Sequence, residues 1–137
     1  METKYKERSL VGPIFKMNSL EKTLINLSYH LKGIKVSKES MPIYREIYND
    51  YLTSLSYFSQ SLGFIKCLYL CNSNPSMKSY LLNNLFTQAY RKLNNIDSKL
   101  KLVEVDDIYL ESKKILEDKI SYITSSMKDL LDDLIHY

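Results

Sequence analysis

Leu116, Ile120, Ile123, Met127, Leu130 and Leu134 step 4, 3, 4, 3, 4 along the chain. A strand sends alternate residues to opposite faces, so this spacing would scatter them. A helix of 3.6 residues per turn gathers all six into one stripe. The spacing is close to a heptad seam, the pattern of helices that pack in a bundle or against a partner helix. Leu20, Leu24, Leu27, Leu31 and Ile34 repeat the rhythm near the other end. Only three Gly and three Pro punctuate 137 residues, too few for the frequent turns of a β-rich chain. The expectation is an all-α fold, a single-domain bundle of about five helices.

Met1 to Met17 shows no clear period and contains Gly12-Pro13, a turn signal, so residues 1–17 read as an extended or poorly ordered arm and 18–137 as the bundle domain. The first helix is expected from Asn18, where Asn18 and Glu21 have capping-box spacing, to Gly33. The second starts at Pro42, whose missing N–H costs nothing in a first turn, and carries Ile43, Ile47, Tyr51, Leu55, Phe58 and Leu62 on one face. Gly63 marks a break, a kink or a close backbone approach. Phe64, Ile65, Leu68, Tyr69 and Leu70 then read as a central helix ending at Asn72-Ser73-Asn74-Pro75. A fourth helix, capped by Asn74, carries Met77, Leu81, Leu85, Phe86, Ala89 and Leu93, and a linker spans Asn95 to Val105. The last helix begins near Asp106 or Asp107, whose charge suits a helix N-terminus.

No run reaches the roughly 18 apolar residues of a membrane span, and the charged N-terminus lacks the apolar core of a signal peptide. Cys67 and Cys71 are the only cysteines, one helical turn apart, and are expected as small apolar residues in a core helix and free thiols in a reducing cytoplasm.

Catalytic signatures are missing. A metal centre needs three or four converging ligands, yet there is no C-x-x-C, and His30 and His136 lie far from the cysteines in sequence. Nothing around Cys67, Cys71 or His30 resembles a nucleophile-and-base arrangement. No phosphate-binding glycine loop or G-x-S-x-G turn occurs. Asp106-Asp107 and Asp132-Asp133 are neighbours in sequence and so diverge on a helix. The chain reads as a non-enzymatic binding protein without a cofactor.

Charge is uneven. Residues 1–103 hold 15 Lys and Arg against 7 Asp and Glu, a net +8; residues 104–137 hold 4 against 9, a net −5; the whole is +3. Such polarity suits an anionic partner or a head-to-tail array. Arg45, Lys66, Lys78, Arg91 and Lys92 are the candidate RNA-binding cations, with Lys99 and Lys101 beyond them, because a phosphate backbone needs several spaced positive charges. The alternative for the same residues is a solvated face. Tyr44, Tyr48 and Tyr51 could stack on bases, although tyrosines at this spacing more often pack their rings inward.

The stretch Tyr48 to Ser73 resembles the core of the small subunit of the type III-B CRISPR effector, the Cmr complex. The similarity lies in the tyrosine-bearing helix, the step Gln60-Ser61-Leu62-Gly63, and the apolar helix after it. The last helix, with Tyr109, Leu110, Leu116 and Ile120, resembles that family's final helix in placement. The resemblance implies a non-catalytic cytoplasmic subunit whose copies stack head to tail along a guide RNA–target RNA duplex, beside other effector subunits and away from any membrane. The alternative from composition and periodicity is a helical-bundle module, such as a viral host-modulating protein, whose groove captures a partner helix.

Overall fold

The computed structural model describes residues 10–71 and 75–136. Helices α1 (Val11–Lys32), α2 (Met41–Cys71), α3 (Pro75–Tyr80), α4 (Thr87–Leu100) and α5 (Leu110–Ile135) account for most of it. A π-helical segment, Leu81–Phe86, joins α3 to α4 without a break, and a 3-10 turn, Asp107–Tyr109, leads into α5. The described residues therefore form an all-α bundle of four rods: α1, α2, the α3–π–α4 rod, and α5.

Each rod packs on the two beside it. α2 lies along α4, α4 along α5, α5 along α1 and α1 along α2. Successive rods run antiparallel, as the bonds between their ends require. Tyr44 at the start of α2 donates its hydroxyl to the Leu31 carbonyl at the end of α1. Lys16 near the start of α1 lies 3.9 Å from Asp133 near the end of α5. At one end of the bundle the α1–α2 and α4–α5 connections meet in a single antiparallel bridge, Val36 to Val105. There the Ser37 N–H donates to the Glu104 carbonyl at 3.0 Å, and the Glu104 N–H to Ser40 Oγ at 2.8 Å.

All six residues of the C-terminal stripe are buried, as is every member of the Leu20–Ile34 stripe. The ends of the elements differ from the sequence expectation. α1 begins at Val11, so residues 11–17 belong to the bundle, with Met17 wholly buried. Gly12 and Pro13 fall in the first turn, where a missing N–H has no intrahelical partner to lose. Asn18 is consequently inside the helix and caps nothing, while Glu21 accepts a bond from Ser59 Oγ at 2.6 Å. Residues 1–9 and the expected cap at Asn74 lie outside the described residues.

The expected second and central helices are one helix of 31 residues. Gly63 neither breaks it nor meets another backbone, since it is exposed and nothing lies within 4 Å of where a Cβ would stand. Ile65 and Leu68 of the last apolar run are in the core, whereas Lys66, Cys67, Tyr69 and Leu70 are exposed, which corrects the core placement expected for Cys67; the Cys71 side chain lies outside the described residues. α4 extends through the expected linker to Leu100 because Ala89, Leu93, Ile96 and Leu100 continue a buried 4, 3, 4 stripe.

Inside, α2 and α4 approach closely through small residues. Ser54 is fully buried and donates its hydroxyl to the Ala89 carbonyl at 2.7 Å. Ser61, also fully buried, is satisfied by its own helix at the Tyr57 carbonyl, 2.8 Å away. The wide turn at Leu81–Phe86 buries the consecutive residues Leu85 and Phe86 together, and seats the Phe86 ring 5.7 Å from that of Phe58. Thr87 closes this turn by donating both its N–H and its hydroxyl to the Leu82 carbonyl five residues back.

Candidate functional site

The five candidate cations are spread over two rods, α2 and α3–π–α4. Arg45 and Lys66 are both exposed on α2, but 21 residues of helix separate them by about 31 Å. Lys78 is half-buried in α3 and borders a small apolar crevice with Ile65, Leu81 and Leu134. Arg91 is exposed on the outer side of α4. Its neighbour Lys92 turns toward α2, with Nζ 4.0 Å from Asp50 Oδ1. Among the described residues no acid forms an ion pair with Arg45, Lys66 or Arg91.

Lys99 joins Lys92 in a compact polar cluster between α2 and α4. Its Nζ lies 2.8 Å from Asp50 Oδ2 and 3.1 Å from Glu46 Oε1. These bonds, with Asp50 contributing most, hold the Lys99 ammonium above the usual lysine range. Asp50 is nearly buried, so its carboxylate needs the ammonium beside it. Two acids and two lysines compensate here, which gives the cluster a structural role, with the Lys92 side chain still partly exposed.

Tyr44, Tyr48 and Tyr51 of α2 pack inward. Tyr51 is buried and donates to the Leu24 and Ile25 carbonyls of α1 at 2.7 and 3.1 Å. Burial raises its pKa, and raises that of Tyr44 to about 12, with the Tyr48 phenol adding to both effects. Tyr48 packs edge-on against Tyr51, ring centroids 6.0 Å apart. Bases have no access to the Tyr51 ring.

Tyr69, Tyr80 and Tyr122 are exposed on other rods, and the two most exposed aromatics lie on the face of α1 that points away from α2, α4 and α5. Phe15 is 74% exposed and Tyr29 72%, with Val11 and Ile25 also outward. Val11, Ile14 and Phe15 join Tyr69 and Leu70 of α2 around an apolar concavity of about 430 Å³. On the other flank of α1, Phe15, Lys16, Ser19 and Thr23 face Tyr122, Asp129 and Asp133 of α5 across a second groove of about 340 Å³. An arm ending at Met17 hides this surface from the sequence. Once α1 is extended to Val11 a signal is there: Val11, Phe15, Asn18, Lys22, Ile25 and Tyr29 step 4, 3, 4, 3, 4, a second seam opposite the buried one.

Reactive groups remain apart. Cys67 is an exposed thiol near the end of α2. His30 sits beside Leu31, the residue bonded to Tyr44, and Tyr44 is 23 residues, or about 35 Å of helix, from Cys67. No group of three His, Cys, Asp or Glu among the described residues is placed to hold a metal ion. No described helix is long and apolar enough to cross a membrane. No family model, no curated protein and no solved structure matches this chain.

Proposed function

We propose that this chain is a non-catalytic helical interaction protein that works through the outer face of α1. The observation that carries this reading is the exposure of Phe15 and Tyr29 on one helical seam with Val11 and Ile25. Single exposed apolar residues are ordinary on any surface. Val11 and Phe15, beside the groove of Tyr69 and Leu70, form an apolar patch of the kind that protein contacts cover, and Ile25 and Tyr29 form a second about 15 Å further along the same seam. Val11 with Phe15 and Ile25 with Tyr29 are each an i, i+4 pair of the kind that one helix offers to another. The exposed thiol of Cys67 accords with a reducing, cytoplasmic setting.

A second reading is an RNA-associated subunit of a CRISPR effector, stacked head to tail along a guide RNA–target RNA duplex with other effector subunits, as the likeness of Tyr48–Ser73 to the Cmr small subunit implies. The exposure of Arg45, Lys66 and Arg91 without an acidic partner among the described residues favours it. Against it, Lys92 is drawn to Asp50, and the remaining cations are spread over two rods.

The two readings separate in one experiment. Tagged protein at native expression level is recovered as wild type, as Phe15→Glu and as Arg45→Ala/Arg91→Ala, and the bound protein and nucleic acid are quantified. The first reading expects a bound protein that Phe15→Glu loses and the arginine variant keeps. Bound RNA that the arginine variant loses, with affinity falling steeply in salt, supports the second and contradicts the first.

A further inference from the structure

The exposed seam of α1 is a palindrome. Written as Val11, Phe15, Asn18, Lys22, Ile25, Tyr29, it pairs end to end about Leu20: Val11 with Tyr29, Phe15 with Ile25, Asn18 with Lys22. The two outer pairs each join an aliphatic residue with an aromatic one, and the central pair joins two polar residues. A surface that complements itself on reversal is what a two-fold contact demands, because every residue then meets its counterpart twice. We infer that the outer face of α1 pairs antiparallel with the same face of a second copy, forming a closed two-fold dimer. This rests on the reading of that face as the interaction surface and names its occupant.

Three further observations support a second copy. The outer seam has the steps of the buried stripe of α5, so two α1 helices can mesh side chains along it as coiled-coil helices do. Tyr29 of the second copy arrives at the end of α1 where Val11, Ile14, Phe15, Tyr69 and Leu70 leave their apolar concavity of about 430 Å³. Charge is complementary as well. Lys22 of the second copy reaches the level of Asn18, beside the groove whose acids Asp129 and Asp133 outnumber its single Lys16.

The area is adequate. Val11, Phe15, Ile25, Tyr29, Tyr69 and Leu70 leave roughly 700 Å² accessible between them, close to the ~800 Å² that each partner gives to a stable interface. Polar groups at Asn18 and Lys22 in the central layer fix register at a cost in affinity.

The test combines mass with cross-linking, on the full chain with Cys67→Ser and Cys71→Ser as background. Sedimentation across a concentration series is expected to show the monomer converting to twice its mass, and Phe15→Glu to hold the monomer at unchanged helical circular dichroism. Lys22→Leu, which completes the apolar seam, is expected to tighten the dimer about tenfold. Chains carrying Asn18→Cys mixed with chains carrying Lys22→Cys are expected to form the mixed disulfide in preference to either homodisulfide, since antiparallel pairing sets 18 against 22. Preferred 18–18 and 22–22 disulfides mean parallel pairing and overturn the inference. So does a wild type that stays monomeric. If such a monomer still loses a bound protein on Phe15→Glu, the face is a docking surface for another partner; if it loses nothing, the functional reading fails too.

Discussion

Lys99 holds Asp50 across the α2–α4 seam at 2.8 Å, the shortest ion pair among the described residues. The two residues are 49 positions apart, and Asp50 is nearly buried. Removing the ammonium leaves that carboxylate with Lys92 alone, 4.0 Å away. Lys99→Ala is therefore expected to destabilise the fold by about 1–2 kcal/mol, discounted for partial exposure, and Lys99→Ala/Asp50→Asn by less than Lys99→Ala alone. Urea unfolding of the single and double variants measures both.

Alkaline pH should loosen the bundle through Tyr44. Its phenol ionises at about 12 when folded, against an ordinary 10 when unfolded, chiefly because it is desolvated beneath α1. Between those values the unfolded chain gives up its proton first, so the stability present below pH 10 is lost progressively up to pH 12. Lys99, whose pKa is also raised, contributes in the same direction, its share being complete below 10.5 and lost as pH rises through the folded value. In Tyr44→Phe the loss of melting temperature from pH 10 to 12 is expected to be shallower than in the wild type; an identical slope would contradict the assignment.

Close packing of α2 on α4 makes Ala89 intolerant of bulk. It is fully buried, and its carbonyl receives the Ser54 hydroxyl. Ala89→Leu is expected to cost about 1–3 kcal/mol as the rods are forced apart, read as a lowered denaturation midpoint.

Gly63 predicts the opposite sign. It lies inside a continuous helix, exposed, with open space where a side chain would stand. Gly63→Ala is expected to stabilise by about 0.5–1 kcal/mol, since alanine loses less backbone entropy on entering a helix. A destabilised Gly63→Ala would mean a contact at this position that the fold does not contain.

Much of this fold was legible because burial and helical spacing coincide. Leu116 to Leu134 and Leu20 to Leu31 are the core faces of α5 and α1, and Tyr51 packs inward. Misplacements arose where a local signal competes with tertiary packing. Gly12-Pro13 reads as a turn, yet a first helical turn tolerates proline and Met17 needs burying. Asn95 to Val105 reads as a linker, yet Ile96 and Leu100 complete a core stripe. The π turn at Leu81–Phe86 and the Asp50–Lys99 pair depend on contacts between distant segments, which no local pattern encodes. The number of cations is legible in the sequence, whereas their directions depend on helix phase, and phase turns Lys92 toward Asp50. The seam from Val11 to Tyr29 was hidden for the same reason that the start of α1 was misplaced.

The claim that the outer face of α1 is the working surface is tested most directly by comparing wild type with Phe15→Glu/Tyr29→Glu at native expression level, measuring the mass of the particle each forms and the species bound to it. Both side chains are exposed, so the variant is expected to keep the helical circular dichroism and to melt within a few degrees of the wild type. It is predicted to run as a bare monomer while the wild type carries a second copy or a bound protein. A folded double variant with an assembly unchanged from the wild type would contradict the account.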